Sequence, residues 1–178
     1  IGPNAMITGE LRQAVVRNQA ERGTCVAFAI SAAVEVLAVR EGVQSPDLSE
    51  QNSYFMAKKL DGSWEIAGLI PEVTLSDLTT LGTRFVDEEN WPYNPYQKSC
   101  DYYSDAFPGF YCSETEAQGG GIDNREQDPN AASAGGYVIQ ETHQLYASVD
   151  RVRQALYRGY PVVLALNANS DFRVARYK

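Results

Sequence analysis

Histidine occurs once in these 178 residues, cysteine three times, and tryptophan and methionine twice each. His143 with the scattered Cys25, Cys100 and Cys112 gives no ligand spacing for a metal ion, so neither a metal nor a cofactor is expected. Lysine and arginine number 15 against 23 aspartates and glutamates, a net charge of −8. A basic footprint for nucleic acid is therefore missing, and an anionic membrane surface would repel the chain. Apolar runs all fall short of the roughly 20 residues of a membrane span. The longest, Val26 to Val39, is interrupted by Ser31 and Glu35. Gly119-Gly120-Gly121 has no strand before it and no Lys-Ser/Thr after it, which excludes a phosphate loop. Internal repeats are absent.

What is present is a helical first part. The length suits one domain or a compact pair, and roughly 70% of the unfolded surface can be buried. Cys25 to Arg40 reads as a helix with Thr24 as N-cap and Gly42 just past its end; apolar nearly all round, it is expected to be central and buried. A second helix is predicted from about Ser49 to Leu60, stopped by Asp61-Gly62, and a third from Pro71 to before Gly82. Asp87-Glu88-Glu89 reads as a solvated loop. The prolines of Trp91-Pro92-Tyr93-Asn94-Pro95-Tyr96 exclude helix there.

The second part has another rhythm. Residues 113–136 are poor in apolar side chains and read as a surface loop or insertion. Tyr137-Val138-Ile139 reads as a strand, Ser148 as the cap of a helix ended by Gly159, and Tyr160 to Leu166 as a buried strand. The organisation expected is α+β: a mainly helical unit over 1–112, the loop over 113–136, and the start of a β unit over 137–178.

Cysteine arithmetic leaves two readings. Cys100 and Cys112 either pair, which implies an oxidising compartment, or are two buried thiols. Cys25 is different, because it opens the predicted helix. Orphan N–H groups and the helix dipole favour negative charge there, and a thiolate is the nucleophilic form. Gln19, six residues upstream, carries an amide able to donate to an oxyanion formed near that sulfur. Gly23 and Thr24 are small enough to let a substrate approach.

The segment Gln19 to Ala29, Q-A-E-R-G-T-C-V-A-F-A, resembles the nucleophile segment of papain-like cysteine peptidases, Q-G-x-C-G-S-C-W-A-F-S. Leu48-Ser49-Glu50-Gln51-Asn52 is similar to the family's L-S-E-Q helix start. Trp91-Pro92-Tyr93 with Cys100 resembles its Y-P-Y…C segment, and Gly159-Tyr160-Pro161-Val162-Val163 with Asp171-Phe172 its G-P-V-x-V…D-F region. Three departures stand out. Val26 occupies an aromatic position, Arg22 replaces a cysteine that is usually bridged, and the G-C-x-G-G substrate ledge has only Gly62, Ser63, Trp64 and Gly68 as nearest counterparts.

The resemblance implies a two-domain papain-like fold, with a helical left domain and an incomplete β-barrel right domain. It implies a cysteine endopeptidase acting on a peptide or protein substrate through a Cys25 thioester. Gln19 would serve the oxyanion, and Gly23, Thr24, Gly62, Ser63 and Trp64 would contact substrate. A secreted, periplasmic or lysosome-like location goes with it. The family's general-base histidine and orienting asparagine follow the G-P-V strand, so they are expected beyond Lys178, on a C-terminal fragment of the same polypeptide. His143 precedes that strand and reads as a surface or strand-edge residue. Asn167 and Asn169 read as turn formers. Two other functions fit the same residues: a non-catalytic binding or inhibitory module, and a thiol acyl-transferase on the same scaffold.

Overall fold

The computed structural model describes residues 17–20, 22–63, 68–94, 127–146 and 148–166. Three helices lead. Helix α1 is Cys25–Arg40, α2 is Glu50–Asp61 and α3 is Pro71–Thr80. They are followed by a two-residue strand β1, Arg84–Phe85, and a 3-10 turn, Glu88–Asn90. Helix α4, Pro129–Ser133, strand β2, Tyr137–Val138, and helix α5, Val149–Tyr157, follow among the described residues. The architecture is α+β, helix-dominated with a small antiparallel sheet.

Local chemistry explains the helix ends. Thr24 stands at the N-cap of α1, but its side chain makes no cap bond. At the other end, Gly42 adopts φ +93°, and Gly42 N–H donates to Val39 O while Val43 N–H donates to Ala38 O. That pair of bonds is a Schellman motif, and it satisfies carbonyls the helix leaves unpaired. Ser49 Oγ caps α2 by accepting from Asn52 N–H at 3.0 Å, and Gly62 closes the helix at φ +68°. Ser148, expected to cap α5, makes no side-chain cap bond. Its C-terminal Gly159, at φ +81°, does stop the helix, and its carbonyl accepts from Arg40 at the end of α1.

Helix α1 buries a stripe and not its whole circumference. Val26, Ala27, Ile30, Ser31, Val34, Glu35 and Ala38 face inward, whereas Cys25, Ala29 and Ala32 are exposed. The expectation of a helix buried all round is thus corrected: small alanines fill its outer face, and they cost little when left in water. The stripe joins Leu48, Leu78 and Phe85 in the main core, with Met56, Leu60, Leu75, Tyr137 and Val163 packed against it. A second cluster joins Phe55, Val86, Trp91 and Ala131. Ala131 belongs to α4, so the described end of the segment read as a surface loop carries a helix and sends one residue into the core.

The stretch 84–88 is the spine that both parts share. Strand β2, expected to open a separate β unit, pairs with β1 instead, in the register Arg84↔Val138 and Phe85↔Tyr137. On its other side the same stretch meets the entry to α2: Ser49 N–H donates to Val86 O at 2.9 Å and Glu88 N–H to Asp47 O at 2.7 Å. Gly136 makes the first contact possible, since a Cβ there would lie 2.3 Å from Phe85 O. Tyr160 to Leu166, expected as a buried strand, is neither strand nor buried. Val163 packs on the core, but Tyr160, Leu164 and Leu166 are exposed, and no ladder forms along this run among the described residues. A strand needs a partner for its backbone groups, and Pro161 already removes one donor. Among the described residues no helix is long and apolar enough to cross a membrane.

Ser49 is fully buried, and its hydroxyl also donates to Trp91 O at 2.6 Å, tying the α2 cap to the core tryptophan. Ser49→Ala removes the cap and the bond to the Trp91 carbonyl. The expected loss is about 2 kcal/mol, the upper end for a cap, measurable by urea denaturation.

Candidate active site

Cys25 is the first residue of α1, exposed and not disulfide-bonded. The loop before it is tightly folded. Asn18 Oδ1 accepts from Ala20 N–H at 2.8 Å, an Asx-type turn that holds Ala20 at φ +54°. A left-handed alanine costs on the order of 1–2 kcal/mol, so other contacts must hold this loop. Two converge on the Arg22 carbonyl, which accepts Gln19 Nε2 at 2.9 Å and Thr24 N–H at 2.8 Å. The Gln19 amide is thereby oriented using one of its two protons.

Tyr93 closes the loop from the far side. Its hydroxyl donates to Gln19 O at 2.9 Å and lies 2.8 Å from Thr24 Oγ1. With the phenolic proton committed to Gln19, Thr24 is the donor in the second bond. The ring stands edge-on to Phe28 of α1, centroids 4.8 Å apart, and the Tyr93 N–H donates to Glu88 Oε1 at 2.7 Å.

Arg22 anchors the loop to the body. It is 7% exposed, and Nη1 donates to Gln51 Oε1 at 2.7 Å and to Asn94 O at 2.6 Å. Its guanidinium lies 5.1 Å from the Tyr93 ring and 5.7 Å from the Tyr54 ring, within cation–π range. Arg22 therefore tethers the loop before Cys25 through polar contacts.

Lys58 binds both Ser63 and Gly68 after α2. It is 1% exposed, and its Nζ donates to Ser63 Oγ at 2.9 Å and to Gly68 O at 2.6 Å. Burial holds its ammonium below the usual lysine range, with Asp61 opposing. Tyr54 adds a bond from Gly68 N–H to its hydroxyl at 3.2 Å, and the Lys58 Nζ lies 5.5 Å from its ring. The Tyr54 ring thus touches the anchors of both loops.

Of the residues expected to contact substrate, Gly23 is exposed beside Cys25, and Gly62 and Ser63 lie at the mouth of the second loop. Thr24 is fully buried with its hydroxyl on Tyr93, which leaves it a positional part. Trp64, Cys100, Cys112, Asn167 and Asn169 lie outside the described residues. His143 is exposed at 74%, 3.2 Å from Glu141 Oε1. No cluster able to hold a metal occurs among the described residues. Tyr93, Arg22 and Lys58 were not singled out as site residues from the sequence. For Lys58 the available signal was the helical i, i+4 spacing that puts it on a shared face with Tyr54, and for Arg22 and Tyr93 their places within the quoted segments.

Behind the site lies a buried charge cluster. Arg17 bonds Glu50 at 2.9 Å and Glu35 at 3.0 Å, and also pairs with Asp47. Glu35 accepts in addition from Leu48 N–H at 2.8 Å. Glu88, expected in a solvated loop, is half-buried with its Oε2 unpartnered. Burial pushes its carboxyl up to about 7, the Tyr93 N–H opposes, and neighbouring Glu50 and Asp47 add to the rise.

Comparison of the chain with protein-family profiles, with curated proteins and with solved structures gives no match.

A carboxyl raised in the folded state contributes stability below its unfolded value and loses it as pH rises through the folded one. Folded stability attributable to Glu88 therefore declines from about pH 4.5 through about 7. Glu88→Gln keeps the acceptor for Tyr93 N–H and removes the charge. The variant should be more stable than the wild type at pH 8, by on the order of 1–2 kcal/mol with solvent screening allowed for, and close to it at pH 5. Thermal melts at the two pH values check this.

Proposed function

We propose that the protein is a papain-like cysteine endopeptidase, with the two-domain fold of that family. The observation that carries the reading is an exposed cysteine at the first residue of α1, preceded by a loop in which the Gln19 amide is held in place. The Cys25 thiolate attacks the carbonyl carbon of a peptide bond. The electron pair of that carbonyl moves to its oxygen, which the Cys25 N–H and the Gln19 amide receive. Collapse forms a thioester and expels the amine, and water then releases the acid. Gly23 leaves room for the substrate backbone, and Gly62 and Ser63, held by Lys58, form a second wall.

The thiol proton must be taken by a base and returned to the leaving amine. His143 faces Glu141 on an exposed segment, so this reading draws its base from a further segment of the polypeptide or a second chain. The exposure of that histidine is also the observation that favours a second reading, a non-catalytic binding module on the same scaffold.

Labelling with a peptidyl epoxide followed by mass mapping separates the two readings. Cys25 should carry the adduct, and Cys25→Ala should abolish turnover with the fold intact, because the side chain is exposed. Labelling of Cys100 or Cys112 with Cys25 untouched would contradict the assignment. Gln19→Ala should lower kcat on the order of 10²–10³-fold at nearly constant KM, since the donor acts on charge that develops in the transition state.

A further inference from the structure

We propose that Tyr93 is the positioning residue of the oxyanion site, a clamp whose hydroxyl holds the Gln19–Cys25 loop in its strained, donor-presenting conformation; the proposal rests on the peptidase reading above. Tyr93 lies 69 residues after Thr24 and 74 after Gln19, yet its one hydroxyl binds both. It donates to the Gln19 carbonyl, which fixes the backbone from which the amide side chain springs. It accepts from Thr24, the residue directly before the nucleophile. Between those two points the chain passes through Ala20 at φ +54°, a conformation that relaxes unless it is held at both ends.

The rest of Tyr93 is built to keep the hydroxyl where it is. The ring packs edge-on against Phe28, one turn into the helix that carries Cys25. The Arg22 guanidinium lies over the same ring while its Nη1 binds Asn94 O, the next residue along. The Tyr93 N–H is bonded to Glu88, whose own N–H is bonded to Asp47 at the entry to α2. Loop, nucleophile helix and the α2 entry are all joined at this one side chain. Losing the hydroxyl leaves these contacts in place and removes only the two bonds to the loop. A donor displaced by about 1 Å can cost on the order of 100-fold in rate, so the effect is catalytic before it is structural.

Tyr93→Phe in the full-length protein tests the clamp by three readouts. With an N-blocked dipeptidyl aminomethylcoumarin amide, kcat should fall about 10–100-fold with KM within about twofold. Alkylation of Cys25 by iodoacetamide, a direct displacement that forms no oxyanion, should proceed at nearly the wild-type rate. Backbone amides of residues 18–25 should exchange hydrogen about tenfold faster, with the rest of the protein unchanged. An unchanged kcat in a wild type that turns the probe over overturns the proposal and leaves the peptidase reading standing. A wild type alkylated at Cys25 that hydrolyses no peptide overturns the peptidase reading, and with it the catalytic role of the clamp. Unchanged exchange in 18–25 overturns the clamp whether or not the protein turns over substrate.

Discussion

Arg17 is the cation on which the interior depends. Glu35 and Glu50 are each about 4% exposed at the side chain, and a carboxylate taken out of water without a partner costs several kcal/mol. Arg17 binds both, pairs with Asp47, and donates to Leu48 O at 2.9 Å. Burial nonetheless raises both glutamates above the usual carboxylate range, with Arg17 opposing the shift. Breaking such a cluster by removing one partner is worth about 3–5 kcal/mol. Its geometry also matters. Glu35 lies within α1, and Asp47, Leu48 and Glu50 form the entry to α2, so one guanidinium fixes how α1 lies against α2. Arg17 lies two residues before Gln19, so the same ion pairs also anchor the chain that leads to Cys25.

From that origin the site is assembled by side chains that span long separations. Arg22 reaches α2 at Gln51 and the chain after the 3-10 turn at Asn94. Tyr93 reaches back to Gln19 and Thr24. Lys58 and Tyr54 hold the loop that follows α2. Each tether is a polar or cation–π contact in a poorly solvated place, where such contacts are strongest and least forgiving of loss. A loop with a left-handed alanine can be held this way without a covalent crosslink. The arrangement places accuracy near Cys25 and leaves Cys25 itself exposed.

The sheet shows how the two parts of the chain are tied. Strand β1 and the residues after it bond to β2 on one side and to the α2 entry on the other. Phe85 and Val86 send side chains into both core clusters while their backbones serve these two neighbours. Residues 84–88 therefore join the charge cluster, the cap at Ser49 and the second part by backbone hydrogen bonds. Glu88, carrying the raised carboxyl, ends that stretch and begins the connection to Tyr93.

The sequence by itself determined the elements whose causes are local. Helix α1 begins at Cys25 and ends at Arg40 as read, because Gly42 can take the left-handed turn a Schellman motif requires. The same holds for α2, capped by Ser49 and stopped at Gly62, and for α3, opened by Pro71. The place of Cys25 at a helix start was legible in the same way, because the apolar run opens at that residue. Tertiary structure decided the rest. Tyr160 to Leu166 has strand composition, but strand formation depends on a partner ladder, which composition cannot supply. Glu88 looked like one of three solvated acids, and only packing against the α2 entry showed that it is half-buried. Tyr93, Arg22 and Lys58 act over distances in sequence that no periodicity records, since hydrogen bonds between remote segments are a property of the folded chain.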